Sequence, residues 1–433
     1  MGLVSDVKAA RKVLRNAWRS RERRRQLTHR IQTEGTGEPA EVQIVVYFAD
    51  TRVNLYQIRQ WYAPLAELAK THPVTILTRS PGATLTLKDE APVPVVYYRT
   101  VGEIEGFLSR HDPRMVFYVN QNIKNFMMFR FGRMWHVFIN HGESDKVYMT
   151  SNQYKSYDYA FVAGQAALDR LGAKLWDYDV ARRAITIGRP QVDHLDPTTP
   201  FTPDDRITVF YAPTWEGDRP TMAYGSIASH GVAIADAVLA SPRHRLVYRA
   251  HPRSGVNDRE YREAHRRIVE MIAAANERDP SAGHLHDDGG VLGWQIVSSD
   301  VQITDISAMV YDRLATGKPV IVTRPASPTA QVEETGFLGA ATWLRAEDAS
   351  DVLALIDREL EDPEARAKLA FWANHHFGDT TPGAATARFH AAVERLMAEW
   401  ERAAAEHADD RRTSESDPFD DEDDEEAFPE SGD

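Results

Sequence analysis

The chain has 433 residues, 42% of them hydrophobic and 27% charged, with a formal net charge of −13 and no cysteine. That length suggests two or three domains with sizeable cores, and the lack of cysteine excludes disulfides, zinc–thiolate and iron–sulfur sites and a cysteine nucleophile. No apolar run approaches the roughly 18 residues of a spanning helix, and Arg and Lys interrupt the N-terminus where a signal peptide needs its apolar region, so a cytoplasmic protein is expected.

The charge is uneven. Residues 1–36 carry +7, residues 406–433 carry −12, and the middle is left at −8. Residues 3–32 read as a basic helix, with Val4, Val7, Val13, Leu14 and Trp18 among Lys8, Arg11, Lys12, Arg15, Arg19 and Arg23 to Arg25. One reading is an anchor on anionic lipid at the inner face of the membrane, each basic residue contributing ~1 kcal/mol. The other is a solvated extension, or one docked on the acidic tail. Nucleic-acid binding is not expected, since the segment lacks the run of aromatic stacking residues such binding uses.

From about Val42 the pattern alternates. VQIVVYFA (42–49) reads as a buried strand, followed by an aromatic-rich helix from Leu55 to Lys70. Further strands are expected at Val74–Leu77, Val93–Tyr98, Met115–Val119, Trp135–Ile139 and Tyr159–Ala163, the last leading into the helical AALDRLGAKL. Strand–helix alternation of this kind predicts a doubly wound sheet. A Pro-rich join between Pro190 and Pro203 then reads as a linker. Strands resume at ITVFYAPT (207–214) and RLVYRAHP (245–252), and SSDVQITDISAMVYDRLATGKPVIV (298–322) reads as strand, polar turn, helix, strand. Helices from Ala349 to about Arg402 and a disordered acidic end complete the chain. The expected units are a basic helix (1–36), an N-terminal Rossmann-like acceptor domain (40–198), a C-terminal Rossmann-like nucleotide-binding domain with terminal helices (204–402) and an acidic tail (406–433). A cleft between two such α/β domains is the default ligand site.

Four polar clusters follow strands, where doubly wound sheets bind ligands. In INHGESDK, His141 suits a general base near neutral pH, Gly142 lets a ligand approach the backbone, and Lys146 follows. In YAPTWEG, Thr214 could hydrogen-bond a phosphate. In YRAHPRSG, Arg249, His251 and Arg253 crowd one strand end and suggest an anion site. In TDIS, Thr304, Asp305 and Ser307 sit where a helix begins, and its free N–H groups would favour an anion. Each cluster also reads as an ordinary structural turn; their joint occurrence is harder to explain so. No HExxH, two-carboxylate metal pattern, Walker loop or GxSxG elbow occurs. His284 and His286, in a charged stretch without acidic or cysteine partners, read as a solvated pair.

Taken together, these motifs resemble the CDP-glycerol glycerophosphotransferase family, the teichoic-acid polymerase and primase type. The resemblance rests on His141-Gly142 with Lys146, GRPQVDHL (188–195), YAPTWEG, the HP of RAHPR, TDISAMVYD with GKPVI, and FGDTTPGAAT (377–386). It spans roughly residues 135–390 in the correct order. Gln191, Ile306, Ala308 and Glu143-Ser144 depart from the family's commoner residues, and residues 1–135 carry little of its signature.

The resemblance implies a GT-B fold and transfer of glycerol phosphate, or a related polyol phosphate, from CDP-glycerol or another CDP-polyol. The acceptor would be a hydroxyl of a lipid-linked or cell-wall polymer precursor, with CMP released. His141 would be the base, and His251 with Arg249 or Arg253 would stabilise charge on the transferred group. Thr304, Asp305 and Ser307 would hold the pyrophosphate, with Asp305 capping the helix and orienting the loop. No cofactor or divalent metal is expected. Two alternatives stay open: a GT-B nucleotide-sugar glycosyltransferase or sugar-nucleotide epimerase, and a non-catalytic assembly protein.

Overall fold

The computed structural model describes residues 18, 20–143, 150–289, 292–332 and 334–407. Short runs rich in Val, Ile, Phe and Tyr, buried on both faces, build two all-parallel sheets. The first holds β1 (Ile44–Phe48), β2 (Val74–Thr78), β3 (Val95–Tyr97), β4 (Met115–Tyr118), β5 (Trp135–Phe138), β6 (Tyr159–Val162) and β7 (Ala184–Thr186). Their order is β3-β2-β1-β4-β5-β6-β7. The second holds β8 (Ile207–Ala212), β9 (His244–Tyr248), β10 (Leu285–His286), β11 (Val301–Thr304), β12 (Val320–Thr323) and β13 (Thr342–Leu344). Its order is β10-β9-β8-β11-β12-β13. Strand order reverses between β1 and β4, and again between β8 and β11. Such switch points open a crevice at the carboxyl ends of the strands, and the candidate residues gather there.

Each expected strand forms with its ends shifted by one or two residues, except that β9 stops four residues before the expected Pro252. The aromatic-rich helix is instead two short ones, Leu55–Arg59 and Tyr62–Leu68, with Trp61 buried between them. Three short edge strands (β3 excepted), namely β7, β10 and β13, and the helices Pro81–Glu90, Val101–His111 and Arg259–Arg278 were not anticipated.

Two apolar clusters sandwich the first sheet. One combines Ile44, Val46, Phe117 and Val137 with Phe389, Val393 and Leu396. Those last three belong to the helix Ala384–Glu406, so the final helix packs on the first sheet. This corrects the assignment of all the terminal helices to the second unit: sequence order does not say which apolar face a terminal helix will cover. The second sheet has its own core around Val209, Leu246, Ile303, Ile321 and Ile356.

Residues 20–34 are helical, with Leu27 buried and Arg30 paired to Asp89 at 2.6 Å. That stretch of the basic segment is docked on the first α/β unit. Half of the expected basic helix, residues 1–17 and 19, lies outside the described residues, as does the acidic tail from residue 408. Among the described residues no helix is long and apolar enough to cross a membrane.

Candidate active site

β5 ends at Phe138, and Asn140 turns the chain with a left-handed φ of 53°. Trp61 Nε1 donates to the Asn140 carbonyl, and Asn140 Nδ2 donates to the Gly142 carbonyl at 2.7 Å. The turn presents His141. Its Nδ1 lies 3.0 Å from the Val119 carbonyl, and a carbonyl only accepts, so Nδ1 carries the proton and Nε2 keeps a lone pair. Tyr56 meets the ring edge-on at 5.8 Å. Burial holds the imidazole below its ordinary pKa, Arg189 adds to the lowering, and the Val119 bond opposes it. His141 is therefore neutral at pH 7, with its basic nitrogen free.

That nitrogen's surroundings include a cleft of about 400 Å³ lined by Asp50, Gln57, Asn120, Gln121, Asn122, Asn140 and His141. Asp50 follows β1, Asn120 to Asn122 follow β4, and His141 follows β5, three neighbouring strands across the switch point. The sequence reading missed Asp50, Asn120 and Asn122, although each stands just beyond an apolar run. Lys146 lies outside the described residues. The departure Glu143 forms an ion pair with Arg170.

In the second sheet, YAPTWEG and RAHPRSG prove to be one unit. The Glu216 carboxylate accepts the backbone N–H groups of Gly255 (2.9 Å), Asn257 (3.1 Å) and Asp258 (3.2 Å). Those bonds, opposed first by desolvation, leave its pKa lowered. Gly255, at φ 71°, passes so close to Arg262 that an added Cβ would meet its Cα at 2.9 Å. The Arg253 guanidinium stacks on Trp215 at 3.7 Å. His251 Nδ1 accepts the Arg253 N–H at 3.1 Å. In the neutral ring the proton is then on Nε2, the reverse of His141. Packing on its loop and the Arg253 charge both lower its pKa, against Glu216. Arg249, by contrast, pairs with Asp287 at 2.8 Å, so of the two arginines Arg253 keeps the less compensated charge.

At the TDIS turn the structure revises three roles. Ser307, not Asp305, caps the helix Ala308–Leu314, its Oγ accepting the Met309 N–H at 3.2 Å. Asp305 is fully buried, accepting N–H groups from Thr214 (2.7 Å) and Ser226 (3.1 Å) and the Thr323 hydroxyl. It joins the loop after β8 and the end of β12 to β11, and its complete burial keeps it out of reach of a phosphate. Burial raises its pKa to about 6 against those bonds. Thr304 is also fully buried, its hydroxyl donating to the Ala212 carbonyl at 2.7 Å. Thr304 and Asp305 are thus a scaffold, and Ser307, partly exposed, is the member of the trio open to a ligand. Thr214 has its N–H committed to Asp305, while its side chain remains partly exposed.

His141 and His251 thus lie in separate clusters, and the surroundings of His141 are joined to the helix after the TDIS turn by Arg189, another residue the sequence reading passed over. Arg189 sits beside His141, donates to Gln60 at 3.3 Å and pairs with Asp312 at 2.6 Å. Asp312 belongs to the helix that Ser307 caps. The GRPQVDHL and FGDTTPGAAT segments also meet, as Asp193 accepts the Thr386 N–H (2.7 Å) and hydroxyl (2.9 Å). His284, expected to be solvated, is buried, and its Nδ1 accepts the Leu246 N–H at 3.0 Å. Among the described residues no group of three or more His, Cys, Asp or Glu side chains could hold a metal ion.

Residues 136–329 match the family model of CDP-glycerol:poly(glycerophosphate) glycerophosphotransferase. By those residues, a little under half of the chain, the protein is similar to this family. It is an enzyme of the glycerophosphotransferase type, acting with CDP-glycerol at the level of the family. Among curated proteins there is no match. Solved structures place the fold as GT-B-like. One is the wall teichoic acid polymerase TagF, a histidine-to-asparagine variant with CDPG: 12% identity, TM-score 0.51, covering 92% of this chain and 98% of that one. Others are a UDP-N-acetylglucosamine 2-epimerase (15%, TM-score 0.51, 87% and 98%) and a glycosyltransferase from Rickettsia africae (11%, TM-score 0.50, 83% and 99%). At such identities the likeness concerns fold alone, and three different chemistries share it.

Proposed function

We propose that this glycerophosphotransferase moves glycerol phosphate, or a related polyol phosphate, from a CDP-polyol to an acceptor hydroxyl on a lipid-linked or polymeric cell-wall precursor. His141 Nε2 takes the hydroxyl proton as the acceptor oxygen bonds to the phosphorus that carries the polyol. The bond from that phosphorus to CMP breaks, and CMP leaves with the electron pair. His251 Nε2–H donates to an oxygen of the transferred group, Arg253 supplies charge beside it, and Ser307 and Thr214 hold the diphosphate. Phosphoryl transfer depends mostly on positioning and fixed charge, which these groups supply.

The observation that supports this most is the opposite protonation of the two histidines: Val119 leaves His141 a basic nitrogen, and the Arg253 N–H leaves His251 a donor. A single-turnover assay of CMP release from CDP-glycerol with a glycerol-phosphate acceptor tests it. His141→Ala and His251→Ala should each lower the rate by roughly 10²–10⁴-fold, with donor binding retained in His141→Ala. Wild-type protein that releases no CMP from any CDP-polyol, yet is thermally stabilised by UDP-sugars, would instead favour the sugar-nucleotide reading.

A peripheral place on an anionic membrane suits a lipid-linked acceptor. Val53, Tyr56, Ile123 and Phe126 are exposed apolar side chains within a few residues of the Asp50–Asn122 hydrogen bond at the cleft. Arg23 of the docked basic helix and Arg52 both pack over Gly82 nearby. Cosedimentation with phosphatidylglycerol vesicles should fall for Ile123→Asp/Phe126→Asp. Equal binding of wild type to neutral and anionic vesicles would count against this placement.

A further inference from the structure

The cleft beside His141 is built for more than holding the base. Its lining has one charged group, the Asp50 carboxylate; the rest are amides and His141, and no Lys or Arg lines it among the described residues. A phosphate-binding site needs the reverse composition. Asp50 is held firmly: Oδ2 accepts from Asn122 Nδ2 at 2.8 Å and Asn120 Nδ2 at 3.2 Å, and Oδ1 accepts the Thr51 N–H at 2.7 Å. Asn120 Nδ2 also donates to Gln57 Oε1 at 2.7 Å, and its carbonyl is fixed by Asn125 Nδ2 at 2.7 Å.

A carboxylate offers about four acceptor positions, so this one retains capacity on Oδ1. Fixed amides and a carboxylate with spare acceptor capacity can bond neutral hydroxyls in either sense, whereas a phosphate monoester would meet repulsion from Asp50 and no lining Lys or Arg among the described residues. Resting on the transferase reading above, we propose that this cleft binds the uncharged, polyhydroxylated end of the acceptor. Asp50 accepts a hydrogen bond from the hydroxyl adjacent to the one His141 deprotonates. The selected feature is thus a 1,2-diol, and Asp50 is a specificity-determining residue on the acceptor side.

The test uses three synthetic acceptors: one ending in a free 1,2-diol, the same with the non-reacting hydroxyl methylated, and the same ending in a phosphate monoester. Binding is read by saturation-transfer NMR and turnover by CMP release, for wild type, Asp50→Asn and Asp50→Ala, with calorimetry of CDP-glycerol binding and circular dichroism as controls. The diol should bind wild type best. Asp50→Asn should raise acceptor KM by roughly ten-fold or more while CDP-glycerol affinity and the fold stay unchanged. Active wild type with an Asp50→Asn acceptor KM like its own, or one that prefers the phosphate monoester, would overturn the diol site. Diol binding that depends on Asp50 in a protein that releases no CMP would leave the diol site standing and sink the transferase reading. If both Asp50 variants lose the fold, the wild-type ranking of the three acceptors decides, and equal binding of all three overturns the proposal.

Discussion

His141 and His251 show how much a single hydrogen bond decides at the residue scale. Both are histidines after strands, and nothing in their neighbours' identities says which nitrogen is protonated. The Val119 carbonyl, from another strand's end, decides it for His141, while a backbone N–H two residues on decides it for His251. Because burial and Arg189 depress the His141 pKa, the acid limb of kcat/KM should fall below the ordinary imidazole value of about 6.5. The neighbouring arginines separate in the same way. Arg253→Ala should weaken CDP-polyol binding roughly ten-fold or more, while Arg249→Ala, already paired to Asp287, should matter less to affinity than to stability. Isothermal titration of both variants checks this, and equal losses of affinity would contradict the assignment.

At the scale of elements, the four turns resolve into two built assemblies. Asp305 ties the ends of β8, β11 and β12, and Glu216 ties the loops after β8 and β9. Asp305 carries a folded pKa of about 6, raised by burial above an unfolded value near 3.9. Its native state therefore favours the proton, and this contribution is full below the unfolded value and lost as pH rises through about 6. His284, depressed to about 4 chiefly by burial, acts oppositely: its contribution is present above its unfolded value of about 6.5 and lost as pH falls toward 4. Comparison with Asp305→Asn cancels the histidine. Wild type should gain about 1 kcal/mol on that variant between pH 7 and pH 5, read from urea midpoints. A pH-independent difference would show that the carboxyl stays ionised.

For the whole molecule, the Arg189–Asp312 pair and the returning helix Ala384–Glu406 join what the linear reading divided into separate domains. Asp312 lies on the second unit but offsets a charge that acts on His141 in the first. Asp312→Asn should leave Arg189 uncompensated and move the acid limb of kcat/KM further down in pH, since a bare cation disfavours the imidazolium. An upward shift, or none, would mean that the pair does not couple the two sides. The loss of stability expected for a half-broken, largely buried pair gives an independent measure of the contact.

Strand positions, the two α/β units and the four polar turns were legible in the chain, because buried parallel strands need continuous apolar, β-branched runs and the turns after them need Gly, Pro and capping residues. The family was legible too, since its motifs are local in sequence. Which residue in each motif faces a ligand was not. Asp305 and Ser307 are two positions apart, yet one is fully buried against the β8–β9 connection and the end of β12, and the other is left partly exposed. Asp50 and Asn122 meet from segments 72 residues apart, and Thr386 reaches Asp193 across 193. Such pairings depend on sheet order and on the face a distant helix covers, which no local pattern encodes. Sequence alone determined the kinds of turn available for chemistry; the packing of the two sheets decided which atoms in them are free to perform it.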